Sequence, residues 1–189
     1  MFGIKWLETK KDKWKDFETE AMPHMASLFR VAIWLTRNKD EAEDLVQETF
    51  VQALKSFHRY QIGTNCRAWM TTIMYNLNLK RLQKARRMMI ADDPEEKLAE
   101  TLPFEPEIPQ TLTDEEVIRA LENVSENFRQ VVILSDIEEF SYKEISSILD
   151  VPIGTVMSRL SRGRKALRLE LADYARKYGF GDNQKNAAS

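Results

Sequence analysis

The sequence is short of the residues that make cross-links and tight turns. Among its 189 residues there is one cysteine, Cys66, so no internal disulfide can form. Glycine and proline number only six each, which argues against a sandwich or barrel with its many turns. No apolar run approaches the ~18 residues that span a bilayer, so membrane insertion is not expected. The N-terminal Met1-Phe2-Gly3-Ile4-Lys5-Trp6 turns charged before a signal-peptide core accumulates, and no small-residue cleavage site follows. These absences predict a cytoplasmic protein. His24, His58 and Cys66 lack metal-ligand spacing. Paired carboxylates in a basic setting and a Gly-rich phosphate loop are also missing. The sequence therefore reads as a non-enzyme with no cofactor and no metal of its own.

The most informative absence is local. From Thr49 through Ala91 there is no Asp or Glu, against eight Lys or Arg: Lys55, Arg59, Arg67, Lys80, Arg81, Lys84, Arg86 and Arg87. From Asp92 through Glu116 the balance inverts, with ten acidic residues and only Lys97 opposing them. From Met157 through Lys177 seven Lys or Arg face only Glu170 and Asp173. Two basic blocks about an acidic stretch suggest two nucleic-acid surfaces joined by a linker. For either block alone, a merely solvated helix face is the competing reading.

What is present is helical periodicity, and it predicts an all-α chain of two small helical domains joined by a flexible acidic linker. Phe17, Ala21, Met25, Leu28, Ala32 and Leu35 recur every three or four residues, one apolar helix face. Thr36-Arg37-Asn38-Lys39 breaks that pattern, and the acidic residues from Asp40 suit the start of a second helix. Its inward stripe is Ala42, Leu45, Val46, Thr49, Phe50, Ala53 and Leu54, with Asp44, Gln47, Glu48 and Val51 facing away. Gln61-Ile62-Gly63-Thr64-Asn65 signals a loop. A third helix follows, with Trp69, Ile73, Leu77 and Leu82 inward. Phe57, Tyr60 and Tyr75 are open to either base stacking or core packing; Trp69 reads as core. Pro94, Pro103, Pro106 and Pro109 then fall within sixteen residues, which no single helix accommodates. That segment reads as a linker, with room for one short turn near Glu95 to Glu100.

The second domain opens on Thr113-Asp114-Glu115-Glu116, hydroxyl and carboxylate three apart as a capping box requires. Val117, Leu121 and Val124 share one face, and Ser125 starts a helix carrying Phe128, Val131, Val132 and Leu134. Ser141 to Leu167 reads as a helix-turn-helix. Ser141-Tyr142-Lys143-Glu144 is a second capping box, opening a helix with Ile145, Ile148 and Leu149 inward. Asp150-Val151-Pro152 turns the chain, and Gly154-Thr155 leads into a last helix with Val156, Leu160, Gly163, Leu167 and Leu171 at helical spacing. Its outer face is then Met157, Ser158, Ser161, Arg162 and Lys165. A major groove admits one helix, and Arg can donate two hydrogen bonds to guanine there. Arg159, Arg164 and Arg168 flank that face for phosphate contact. The competing reading is a three-helix domain whose last helix is merely basic.

Pro152-Ile153-Gly154-Thr155-Val156-Met157-Ser158-Arg159-Leu160-Ser161-Arg162-Gly163-Arg164-Lys165-Ala166-Leu167 closely resembles region 4.2 of bacterial sigma factors of the extracytoplasmic-function (ECF) type. Asp40-Glu41-Ala42-Glu43-Asp44-Leu45-Val46-Gln47-Glu48-Thr49-Phe50 resembles region 2.2, and Arg67-Ala68-Trp69 with Asn76 resembles regions 2.3 and 2.4. In this order the motifs cover about Phe17 to Leu171. The resemblance implies residues 1–15 as an N-terminal extension, 16–91 as region 2, 92–112 as linker, 113–178 as region 4 and 179–189 as a disordered tail.

It further implies partners. Asp44, Gln47 and Glu48 match positions that dock on the β′ coiled coil of core RNA polymerase, and the surface about Ser125 to Leu134 would lie near the β flap. Promoter DNA would meet the chain twice. The loop from Tyr60 to Cys66 would hold a flipped base of a melted −10 element, with Tyr60, Thr64, Asn65, Arg67, Asn76, Lys80 and Arg81 as its contacts. The −35 element would meet Thr155, Met157, Ser158, Arg159, Ser161, Arg162 and Lys165. Met157 stands where many family members carry Lys or Arg, so a charged donor is lacking there. The acidic linker would thread the polymerase cleft and RNA exit channel, its carboxylates mimicking an RNA backbone. Gly63-Thr64-Asn65 and Gly154-Thr155-Val156-Met157-Ser158-Arg159-Leu160 resemble the subgroup controlled by zinc-containing anti-sigma factors, the zinc belonging to the partner. Cys66 reads as an inert or loop cysteine. The rival function is a helix-turn-helix repressor or activator working without polymerase, but residues 16–90 lack the alternating strands and helices of a receiver domain. An enzyme acting on nucleic acid is the remaining reading, and it lacks a candidate site.

Overall fold

Asn38 shows how locally these helices are specified. Its side-chain Oδ1 accepts the Glu41 backbone N–H at 3.0 Å, while Arg37 before it adopts the left-handed region at φ 54° and closes the preceding helix. A cap of this kind contributes about 1 kcal/mol. The computed structural model describes residues 14–91 and 115–172. The linker with its four prolines, the Thr113 capping box and the tail lie outside those residues, as does nearly all of the N-terminal extension. Two units divide between Glu107 and Ile108, and each is described by itself.

The first unit has helical backbone over 14–21 (α1), a short 3-10 turn at Met22–His24, then α2 (Met25–Thr36), α3 (Lys39–Ser56) and α4 (Cys66–Ala91). Its core gathers Phe17, Ala21, Leu28, Val31, Ala32, Ala42, Leu45, Ala53, Met70 and Met74. Thr49 is fully buried because its hydroxyl donates to the Leu45 carbonyl at 2.7 Å. Asp44, Gln47, Glu48 and Val51 are exposed on α3, as their spacing predicts, but Leu54 is exposed rather than inward.

Two inward faces differ from the sequence expectation. Met25 is 42% exposed, because the turn at Pro23 re-phases the chain and α2 turns Leu28, Val31, Ala32 and Ile33 inward instead. In α4 the buried face is Cys66, Met70, Thr71, Met74, Tyr75 and Asn78. Trp69, Ile73 and Leu77 sit half-buried on its flank, and Leu82 is exposed. That face is about one residue out of phase with the large apolar side chains. It tolerates polar residues because, for example, the Thr71 hydroxyl donates to the Arg67 carbonyl at 2.8 Å.

The second unit comprises α5 (Glu115–Asn123), α6 (Glu126–Val132) with a wider π turn over Ile133–Ile137, α7 (Tyr142–Leu149) and α8 (Ile153–Glu170). Ile118, Leu121, Val124, Val131, Val132, Leu134, Phe140, Ile145, Ile148, Val156 and Leu160 form the core. The second capping box is complete: Ser141 Oγ accepts the Glu144 N–H and the Glu144 carboxylate accepts the Ser141 N–H at 2.8 Å. Asp150 ends α7 in the left-handed region at φ 51°, and α8 begins at Ile153, one residue before Gly154. Gly163 lies where α8 meets α6. A Cβ there would fall 2.7 Å from Val132 Cγ2 and 3.1 Å from the Phe128 carbonyl oxygen, so the crossing needs glycine.

Candidate nucleic-acid interface

Burial of Val156, Leu160 and Gly163 fixes which side of α8 is outside. Met157, Ser158, Ser161, Arg162 and Lys165 are all exposed on that outer side, while Thr155 and Arg159 are half-buried at its margin. Tyr142, the first residue of α7, borders the same surface beside Met157, Ser161 and Arg162. Arg164 is engaged elsewhere. Its Nε and Nη2 donate to the two carboxylate oxygens of Asp136 at 2.9 and 2.6 Å, tying α8 to the π turn after α6. Arg164 thereby raises its own affinity for a proton and holds the Asp136 carboxyl below the usual carboxylate range. Arg164, expected as a flanking phosphate contact, makes this bidentate pair in the structure, with a partner 28 positions away.

In the first unit the loop before α4 is tightly organised. Gly63 at φ 90° occupies a conformation that side chains resist. The Thr64 N–H and hydroxyl both donate to the Gln61 carbonyl, at 3.1 and 2.8 Å. Asn65 caps α4, its Oδ1 accepting the Ala68 N–H at 3.1 Å. Gln61, Ile62, Gly63, Thr64 and Asn65 remain exposed. Beneath them Tyr60 is buried, 8% exposed, in a three-ring cluster with Phe57 at 5.5 Å and Trp69 at 4.9 Å, which also lie 6.4 Å from each other. Tyr75 is buried and Phe57 is half-buried against Phe17. Tyr60 and Tyr75 therefore belong to the core, and Phe57 is half-buried in the aromatic cluster beside them. Cys66 is buried too, and its thiol is pushed up to about 11 by burial and then by the Glu20 charge.

Along α4, Asn76 and Lys80 are exposed and Arg67 is half-buried. Arg81 donates to Glu48 Oε2 through Nε at 3.0 Å and Nη2 at 2.8 Å. Two residues expected to meet different partners thus neutralise each other. Beside Glu43 and Gln47 runs a shallow apolar groove lined by Met22, Met25, Phe29, Val46, Phe50 and Val51. Sequence reasoning missed it; the signal was Val51, an apolar residue on the polar side of α3. Among the described residues no group of three His, Cys, Asp or Glu could hold a metal ion, and no helix is long and apolar enough to cross a membrane.

An exposed Arg- and Ser-bearing helix in a helix-turn-helix, in the same chain as a separate helical unit with a basic α4, defines a DNA-binding protein of the helix-turn-helix class. The family models for sigma-70 region 2 and sigma-70 region 4 match residues 21–88 and 114–167. The chain belongs to the ECF RNA polymerase sigma factors. It is 36% identical over 172 residues to the ECF sigma factor EcfG of Rhodopseudomonas palustris, covering 90% of this chain and 92% of that one. It is 36% identical over 157 residues to SigE of Mycolicibacterium smegmatis, covering 80% of this chain but only 60% of that relative's length. Its fold is similar to the sigma factor RpoE of Bartonella quintana, solved in complex with the anti-sigma factor NepR. The TM-score is 0.71 at 32% identity, over 84% of this chain and 98% of that one.

Proposed function

We propose that this chain binds core RNA polymerase and directs it to the promoters of a stress regulon, reading a −35 element as duplex and a −10 element as melted strand. The observation that carries this reading is the outer face of α8, where Met157, Ser158, Ser161, Arg162 and Lys165 stand exposed over a buried inner stripe. Thr155 and Arg159 would contact the same element from its margin. Arg can make bidentate contacts to guanine, and the short serines permit close approach. The loop over Gln61, Thr64 and Asn65, with Arg67, Asn76 and Lys80, takes the −10 strand, and Arg81 joins it when Glu48 is drawn away. Extruding a base costs a few kcal/mol, so a preformed loop favours capture.

Asp44, Gln47 and Glu48, with the neighbouring apolar groove, form the surface for the β′ coiled coil. The helix from Ser125 serves the β flap, and the acidic 92–112 linker occupies the polymerase channel. The chain acts in the cytoplasm without catalysis of its own. An anti-sigma factor holds it inactive. The likeness to RpoE bound by NepR supports an anti-sigma partner as such, and the Gly63-Thr64-Asn65 and Gly154–Leu160 motifs point to a zinc-containing one. Metal analysis of the complex purified from its native cell tests the zinc.

The decisive experiment adds purified chain to core polymerase with a promoter library and sequences the transcripts initiated. Starts at promoters sharing −35 and −10 elements support the reading. Tight sequence-specific duplex binding by the chain alone, without transcripts, would make it a repressor.

A further inference from the structure

Tyr60 was expected to touch DNA, yet its ring is packed in a cluster with Phe57 and Trp69 and its hydroxyl is engaged. That hydroxyl lies 2.7 Å from the Thr64 carbonyl oxygen and 3.0 Å from Glu20 Oε2. One phenolic proton thus faces two acceptors: one on the loop, one on α1, 40 positions earlier in the chain. The ring cluster fixes where the oxygen sits, and the Thr64 contact closes the loop from 60 to 64. Gly63 at φ 90° and the Gln61–Thr64 turn complete a loop whose ends cannot drift apart while the hydroxyl holds.

We propose that Tyr60, braced by Glu20, is a positioning residue that sets the shape of the 61–65 loop and thereby its base preference, without touching DNA itself. This rests on the reading that the loop receives a −10 base. A pocket held in one shape discriminates bases better than a loop that must be ordered on binding, because its polar groups are already aimed. A tyrosine phenol is protonated near neutral pH already, so the hydroxyl donates; burial raises it further above its ordinary value.

Tyr60→Phe removes the hydroxyl and keeps the ring. The experiment reconstitutes holoenzyme with the full chain and measures initiation on promoters carrying each base at every −10 and −35 position. Thr64→Ala is a second arm, altering the loop directly, and Glu20→Gln is a third, keeping an acceptor oxygen. Y60F is expected to lower discrimination at one −10 position about fivefold, the ratio that losing one net hydrogen bond gives. The −35 preferences should stay as in the parent. E20Q keeps the acceptor and should hold the parent's −10 discrimination, whereas a loss there equal to that of Y60F would show that the Glu20 charge rather than the hydroxyl bond shapes the loop and would overturn the proposal. A uniform fall in activity on all promoters would make Tyr60 merely structural and overturn the proposal. If T64A changes −10 discrimination and Y60F does not, the loop reads the base but Tyr60 does not position it. If neither changes it, the −10 role of the loop falls as well.

Discussion

Gly163→Ala adds a single methyl group at the crossing of α8 and α6, and its cost can be worked from three distances. The new Cβ would sit 2.7 Å from Val132 Cγ2, about 0.7 Å inside ordinary contact, with the Phe128 carbonyl oxygen at 3.1 Å and Phe128 Cβ at 3.3 Å. Turning the valine relieves only the first of these. The other two lie on or next to the backbone of α6, so the helices must separate. Overpacking of this kind costs about 1–3 kcal/mol, and alanine's better helix propensity returns about 1 kcal/mol. The net expectation is a loss of about 1 kcal/mol in the second unit.

Gly154→Ala is the internal control, since a Cβ there meets nothing within 4 Å; it should be neutral or slightly stabilising. All four tryptophans (Trp6, Trp14, Trp34 and Trp69) precede the second unit in the sequence, so tryptophan fluorescence is a poor reporter of the change. Native-state amide exchange in α6 and α8 reads it directly. Val132→Ala should be less costly in the Gly163→Ala background than in the parent, by at least about 0.5 kcal/mol, because the two side chains compete for one space. Equal or greater exchange protection in Gly163→Ala than in the parent would refute the close-crossing account.

Three further outcomes follow from the geometry. Arg162→Ala should weaken −35 recognition by about 1–3 kcal/mol while leaving core binding intact, measured by duplex competition and polymerase pull-down; equal losses in both would make Arg162 structural. Asp136→Asn should destabilise the second unit by about 0.5 kcal/mol near neutral pH, the scale of a half-exposed pair whose side chains are 34% and 47% exposed. Because Arg164 depresses the Asp136 carboxyl in the folded state, that contribution is complete above the ordinary carboxylate range. It disappears as pH falls through the depressed value, so parent and variant should converge in strong acid. Native Cys66, with its thiol near 11, should react with iodoacetamide at pH ~7.5 on the order of a hundredfold more slowly than in the urea-unfolded chain; comparable rates would contradict its burial.

The parts of the fold that could be read from the chain are those specified by neighbours. Ser141 and Glu144 cap α7 through bonds three residues apart, and Val156, Leu160 and Gly163 repeat at the helical period, so the helix-turn-helix and its outer face were legible. The phase of α4 was not, because Trp69, Ile73 and Leu77 outweigh Met70, Thr71 and Asn78 in any reading by hydrophobicity. What buries the latter is contact with distant helices and, for Thr71, a bond to its own backbone. The pairs Glu20–Tyr60, Glu48–Arg81 and Asp136–Arg164 span 28 to 40 positions. Helical spacing rules reach only three or four residues, so the partners of Arg81 and Arg164 were not legible, and Tyr60 stayed open between stacking and core packing.

The one-sided burial of α8 separates address from scaffold. Met157, Ser158, Ser161, Arg162 and Lys165 are exposed and lie outside the core, and surface substitutions of that kind usually change stability by less than about 0.5 kcal/mol. On the proposal that these five residues read the −35 element, promoter choice could drift under selection, or be rewritten by an engineer, with little effect on folding. Libraries confined to those five positions should yield many well-folded chains with new targets, and so mutually insulated transcription circuits from one parent sequence.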